Sequence, residues 1–406
     1  MHHLVTGLVL LVTAANALMT VEMPPELLGE NVFAHTAMWH NQELHLTTVE
    51  NMRFGHGQGE NLTHWRRRDG ETEWHKQALF PEHNPGMTVM LPLAEGAVLF
   101  LYVDRRDERE RAVYLTRVEA GQQHRLFEFR GGSGVLNPQM DLVNSETLHL
   151  LLPDRTDTLV RRFLVNIETG DSERLPDVEM PRGGARIYER LVHGNRLVVP
   201  VSVVNEMLML VIDLEDHSYT THSVDRFESV AGEPPRMTSI FHLPDLGQYA
   251  LVYMRPAPFS DRPGRQGPAT GLLGELVCNV VDAETLESVR ATVIAGFEAE
   301  AAATHNIEAV QTGPREFLLA HTEVDRIHQR HLDGQYVNYV GGFLTLWRIA
   351  PDGLPEQRAK VEVPPFFCTR LTAVSDDGAV LVANEAVPGD PLHLHRITLH
   401  QAAGEG

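Results

Sequence analysis

The 406-residue chain is 43% apolar and 22% charged, the balance of a protein that buries a sizeable core, and this excludes wholesale disorder. Its 34 Lys and Arg against 55 Asp and Glu leave a net charge of −21. Such a field repels phosphate backbones and anionic headgroups, so neither nucleic acid nor a membrane surface is an expected partner.

The first residues carry an apolar run from Leu4 to Ala15, then Ala15-Asn16-Ala17, the small-x-small pattern that signal peptidase reads. The sequence therefore predicts a signal peptide over 1–17 and export, with 18–406 as a single domain. His2 and His3 stand where such leaders usually carry Lys or Arg. No later segment reaches about 18 consecutive apolar residues, so no membrane span is expected. Cys278 and Cys368 are the only cysteines, too few for a disulfide framework and not spaced as a zinc site, and they read as two buried thiols.

Short alternating apolar runs broken by Gly, Asp and Asn recur through the chain, and none sustains helical periodicity over about a dozen residues. The fold class is all-β. The clearest unit is ETLHLLLPD, then LVRRFLVNIETG, then DSERLPDV: a buried strand, a strand ending in a turn, and a polar outer strand. That grammar returns at 211–224, 280–294, 347–363 and 371–385. It fits the four-stranded blade of a β-propeller, whose inner strands are covered on both faces.

Inner strands open near His35, His83, Asn137, Arg186, Arg236, His305 and Arg370. The period is about 50 residues, in the range of propeller repeats, so the sequence predicts a seven-bladed β-propeller. The last unit has room for three strands only. The segment 19–28, MTVEMPPELL, is expected to supply the missing outer strand and close the ring, with Pro24 and Pro25 confining it to an edge. Two connections are oversized, 256–273 and 325–341, the second bearing His328, His331, Tyr336 and Tyr339. Both are expected to overhang the mouth of the central channel as long loops.

Every opening presents His, Asn or Arg: His35, His83, Asn84, Asn137, Arg186, Arg236, His305, Asn306 and Arg370. Three Arg able to fork onto carboxylate, sulfate or phosphate oxygens point to an anionic ligand. Two alternatives remain open at this level. The ring could hold only water, or Glu50, Asp104, Asp154 and Glu323, which end second strands near the same face, could pair with the arginines. His393 and His395 alternate along a predicted strand, but no third ligand is nearby, so no metal site is predicted. No HExxH, GxSxG or GxxxxGK[ST] occurs, and Gly55 to Gly59 lacks the context of a dinucleotide loop, so no cofactor is expected.

The stretches NLTHWRRRDGETEWHKQALF at 61–80 and HNPGMTVMLPLAEGAVLFLYV at 83–103 resemble sialidase-type or BNR-type propellers. SDDGAVL and RRDGETEW approximate the Asp-box of that family. Its Arg-Ile-Pro motif is absent, so Arg186, Arg236 and Arg370 are not carried over as its arginine triad. The His-Asn openings at 83–84 and 305–306 are similar to secreted polysaccharide lyases built on seven-bladed propellers. That resemblance implies His83 or His305 as base, Tyr188 as acid, and Arg186 with Arg236 as a clamp on a uronate carboxylate. The expected function is binding, and cleavage, of an anionic saccharide at the channel mouth. The alternative is a noncatalytic scaffold that holds a partner protein.

Overall fold

The computed structural model describes residues 18–53, 58–81, 85–104, 111–131, 135, 137–154, 158–182, 185–227, 236–256, 274–295, 303–330, 334–375, 377–385 and 391–400. They form thirty β-strands and one short 3-10 turn, Pro244–Leu246, with no α-helix among the described residues. The strands assemble into seven antiparallel sheets.

Blade 1 runs from Val32–His40 through Glu43–Arg53 and Gln58–Arg68 to His75–Ala78, and blade 2 from Pro85–Pro92 to Gln122–Arg130. Blade 3 runs from Gln139–Leu142 to Ser172–Glu179, blade 5 from Arg236–Leu243 to Ser288–Ala295, and blade 6 from Ala303–Gly313 to Pro355–Val363. Blade 4 ends on Tyr219–Arg226, and its first strand is in two pieces, Arg186–Ile187 and Leu191–His193. Blade 7 consists of Phe366–Ser375, Gly378–Glu385 and Leu392–Leu399 plus two strands from the start of the chain. First strands touch one another, as Ala303–Gly313, Phe366–Ser375 and Val32–His40 do in turn. They therefore line the axis of a seven-bladed β-propeller.

Strand alternation explains the ring. A second strand such as Val98–Asp104 is buried along its whole length. Its odd residues Leu99, Leu101 and Val103 join an apolar cluster with blade 3, while Val98, Phe100 and Tyr102 join one with blade 1. The two faces of one pleated strand thus serve two neighbours. Seven such clusters exist, one at each junction between blades, the last joining Val380 and Val382 of blade 7 to Leu44 and Leu46 of blade 1. Outer strands lack a second neighbour and are largely exposed, as Gln122–Arg130 and Ser288–Ala295 are.

The recurring turn between third and outer strands has one mechanism. Asn166 Oδ1 accepts the amides of Glu168 and Thr169, both at 2.9 Å, and Asp282 Oδ1 accepts those of Glu284 and Thr285 at 3.0 and 2.8 Å. These side chains mimic a backbone turn. Gly170 follows with φ of 76°, and a Cβ there would lie 2.9 Å from the Leu126 carbonyl oxygen of blade 2.

The closing strand is present, in two pieces. Met19–Val21 and Glu26–Gly29 both pair antiparallel with Leu392–Leu399, Met19 opposite Leu399 and Glu26 opposite Leu394. Pro24 and Pro25 occupy the gap between them, where no ladder amide is required. Met19 is buried in the cluster between blades 6 and 7. Glu26 also reaches blade 1: its carboxylate takes both Arg67 nitrogens at 2.7 and 2.8 Å and the Trp74 indole at 2.9 Å. The RRDGETEW segment, which includes Arg67 and Trp74, is therefore the last turn of blade 1 and half of the seam.

Of the two oversized connections, 257–273 lies outside the described residues. The other is not a loop. The second and third strands of blade 6 continue as Glu316–Arg330 and Gly334–Ile349, paired as far as Arg330 opposite Gly334. The extra length forms a β-hairpin, consistent with its alternating Val, Ile and Tyr.

Candidate functional site

Antiparallel register places the openings together. Val32 pairs with Glu50, Arg186 with Ser202, Arg236 with Met254 and Phe366 with Glu385, so inner strands open at the end where second strands finish. The blade 6 hairpin leaves from this same end. His83 and Asn84 lie outside the described residues. Arg236, His305 and Asn306 occupy the inner strands of blades 5 and 6 as expected, and their side chains lie outside the description.

The remaining predicted residues fall at different depths. Asn137 precedes the inner strand of blade 3 in a left-handed turn, φ 51°, and its carbonyl accepts the Gln139 amide at 3.3 Å. His35 is buried, at an irregularity between Ala34 and Thr36. Its carbonyl accepts Arg370 Nε at 2.5 Å. Arg370 also donates to Glu308 of blade 6 at 2.8 Å. Arg370 is thus committed to neighbours within the protein, its carboxylate partner being Glu308 rather than Glu50, Asp104, Asp154 or Glu323. Arg186 is not: its guanidinium makes no hydrogen bond or ion pair among the described residues, and its Nε is shielded from solvent. Tyr188, half-buried, follows two residues later in the gap of the broken strand.

That gap is the centre of the site. Between Ile187 and Leu191 the inner strand of blade 4 leaves its ladder, and the two charged residues there diverge to opposite neighbours. Arg190 turns to blade 3, donating to Asp141 at 2.7 Å, to Gln139 at 2.9 Å and to the Met140 carbonyl. Glu189 turns to blade 5, where its carboxyl accepts the Ile240 amide at 3.3 Å and a bond from Ser239. A polar chain therefore runs around the axis through blades 3, 4 and 5, and again through 6, 7 and 1.

Two carboxyls sit inside this girdle, and the sequence reading missed both. Burial pushes the Glu189 carboxyl up to about 8, with the charge of Glu308 adding to the effect. Glu308 is also raised by burial, but the Arg370 charge and hydrogen bond hold it back. One carboxyl is consequently proton-bearing at neutral pH and the other is paired with a cation. Side-chain exposures of 25% for Glu308 and 35% for Arg370 at this depth are surface on the channel itself. Perturbed groups in a cavity, on an interrupted strand, have the character of a functional site.

Among the described residues no group of three His, Cys, Asp or Glu is placed to hold an ion. His393 Nδ1 instead lies 2.6 Å from Glu385. Asp154 pairs with Arg161 at 2.8 Å and Glu50 accepts the Asn61 amide at 2.9 Å. Cys278 is a fully buried thiol, while the Cys368 side chain lies outside the description. No helix among the described residues is long and apolar enough to cross a membrane.

No protein-family model matches the chain, and no curated protein matches its sequence. Solved structures do resemble it. An ulvan lyase, described as a new family of polysaccharide lyase and bound to -[GlcA(1-4)Rha3S]-, matches with a TM-score of 0.57 and 9% identity over 92% of this chain and 96% of that one. A protein from Lactobacillus plantarum matches with a TM-score of 0.53 and 12% identity over 88% and 96% of the two chains. One of a pair of prolyl endopeptidases matches with 0.52 and 9% over 92% of this chain and 51% of that chain. At such identities the likeness establishes the fold alone.

Proposed function

We propose that this exported propeller binds an anionic saccharide at the mouth of its channel, with Arg186 as the countercharge. The observation that carries the reading is that Arg186 has no partner among the described residues, in a chain with 21 excess negative charges. A half-buried guanidinium without a partner is costly, and an anion from outside repays that cost. Arg suits carboxylate and sulfate oxygens because its planar fork bonds two at once. The saccharide carried by the ulvan lyase, a fold relative, is acidic and supports the choice of ligand class.

The same end of the channel offers proton-transfer groups. Tyr188 stands two positions from Arg186, and His305 opens the neighbouring inner strand but one. Neutralising a uronate carboxylate makes its α-proton removable, after which an acid protonates the departing glycosidic oxygen. Eliminative cleavage is the reaction to which these groups are suited, with His83 or His305 as base and Tyr188 as acid.

The test is a panel of uronate, sulfated and sialylated glycans offered to the protein, read by thermal shift, reducing ends and unsaturated-product absorbance. Binding that disappears in Arg186→Ala supports the reading. Silence from every glycan, with no thermal shift, overturns it. A second reading, the protein-binding scaffold, draws on Val289 and Val293, 48% and 46% exposed on the outer strand of blade 5. A scaffold of that kind keeps its partner when Arg186 is replaced.

A further inference from the structure

The break in the inner strand of blade 4 requires an explanation. A seven-bladed ring gains nothing from losing ladder bonds on an axial strand, and the adjacent charged residues are there the only ones on this strand between its two pieces. What the break achieves is to bring a carboxyl, Glu189, into the channel three positions below Arg186. Arg190 anchors the excursion on blade 3 through three hydrogen bonds. The Ile240 amide and Ser239 fix the carboxyl itself from blade 5. Such support from both sides is how a recognition group is held in place.

The groups facing Glu189 define its chemistry. Ser239 and the Ile240 amide come from blade 5, Glu308 from blade 6 with Arg370 of blade 7 behind it, and Arg190 from its own strand. Among the described residues, the guanidinium that acts on Glu189 is that of Arg190, itself bound to Asp141, while Arg370 is occupied by Glu308. Burial and the charge of Glu308 hold the proton on Glu189, which leaves it one O–H to give.

We propose that Glu189 is a second recognition residue, in the channel below the mouth: its carboxyl donates a hydrogen bond to an anionic oxygen of the ligand that Arg186 holds, so that ligand and proton bind together. This rests on the saccharide reading above and sharpens it. The ligand must place a carboxylate or sulfate into the channel, which favours an acidic residue at a chain end over one in the middle of a polymer. An O–H to carboxylate bond is charge-assisted and short, stronger than a bond between neutral groups.

The experiment is calorimetric titration of oligoglucuronate, oligogalacturonate and a sulfated saccharide into the full chain between pH 6 and pH 9. For wild type the affinity should fall by about tenfold per pH unit once Glu189 ionises, as linkage of one proton requires. Near that pH, titrations in buffers of different ionisation enthalpy should show proton uptake on binding. Glu189→Gln, which still donates, should bind at pH 7 and lose the pH dependence; Glu189→Ala should bind about tenfold more weakly, the scale of one hydrogen bond to a charged group. Binding without proton uptake, or an identical pH profile in Glu189→Gln, overturns the proposal and leaves the role of Arg186 standing. Failure of every saccharide to bind wild type overturns both. Proton uptake is measured on wild type alone, so a variant that folds poorly does not decide the matter.

Discussion

Arg370 Nη1 lies 2.8 Å from Glu308 Oε1, joining the inner strand of blade 7 to that of blade 6 inside the channel. The same guanidinium holds the His35 carbonyl of blade 1, so a single side chain bridges three blades at the axis. Replacing Arg370 by Met leaves Glu308 without its cation. The cost is expected near 2 kcal/mol, below the roughly 3–5 kcal/mol for a fully buried pair, because both side chains keep some channel surface. Urea unfolding of Arg370→Met, Glu308→Gln and the double variant checks it, and the double variant should lose less than the two single losses together.

The seam has a weak point outside the axis. Among the described residues, Glu26 is the sole acidic partner of Arg67, whose side chain is only 5% exposed, and it also accepts the Trp74 indole. Glu26→Ala leaves both donors unpaired and is expected to cost about 2 kcal/mol. Hydrogen exchange should locate the damage: amides of Leu392–Leu399, which pair with the closing strand, should exchange faster while those of blade 3 do not change. Uniform acceleration through all blades would argue against a local seam.

His149 presents the opposite case. It is wholly buried between blades 3 and 4, and neither ring nitrogen has a partner among the described residues. Burial, and the Arg162 charge after it, lower its pKa to about 3. An unsatisfied buried polar group costs about 1–3 kcal/mol, so His149→Leu, similar in size and without that penalty, should stabilise the protein by about 1 kcal/mol. A denaturation midpoint at or below that of wild type would mean that water or strain accounts for the imidazole.

Acid should destabilise the fold earlier than carboxylates alone would require. Burial lowers His45 to about 4, His64 to about 3, His149 to about 3 and His395 to about 4. Unfolded, each titrates near 6.5, so the unfolded chain binds more protons below that pH and stability falls as pH drops through it. Glu189 acts in the other direction. Its folded value is raised to about 8, so its contribution is complete below the unfolded carboxylate value and is lost as pH rises through 8. Stability measured by urea titration should therefore peak near pH 6.5 and decline on both sides, more steeply on the acid side. In Glu189→Gln the alkaline decline should flatten.

Much of this architecture is written locally. Asn166, Asp213 and Asp282 each cap the same turn with a side-chain oxygen, which is why the repeat could be read from residues within each unit. The closing strand followed from strand accounting, since blade 7 had three strands and the chain began with an unassigned one. The axial site did not follow. Inner strands carry bulges after Ala34, Gly86, Arg236, His305 and Phe367, so counting from the opening residue misjudges which side chain meets the channel. The break in blade 4 left one trace: the adjacent charges Glu189 and Arg190 inside the otherwise apolar Ile187 to Val192. The blade 6 hairpin was read as a loop because its length outweighed its alternation.

Among the described residues, the ring is fastened without a covalent bond. Its two ends meet where Leu18 accepts the His400 amide at 2.8 Å and Thr20 Oγ1 lies 2.7 Å from the His400 ring, beside strands of three and four residues. Tension applied along the leading segment would act on those few ladder bonds one after another, like a zip, before it strained any junction between blades. The molecule's resistance to pulling is thus set by about a dozen residues at one circumference, whatever the strength of the seven cores behind them.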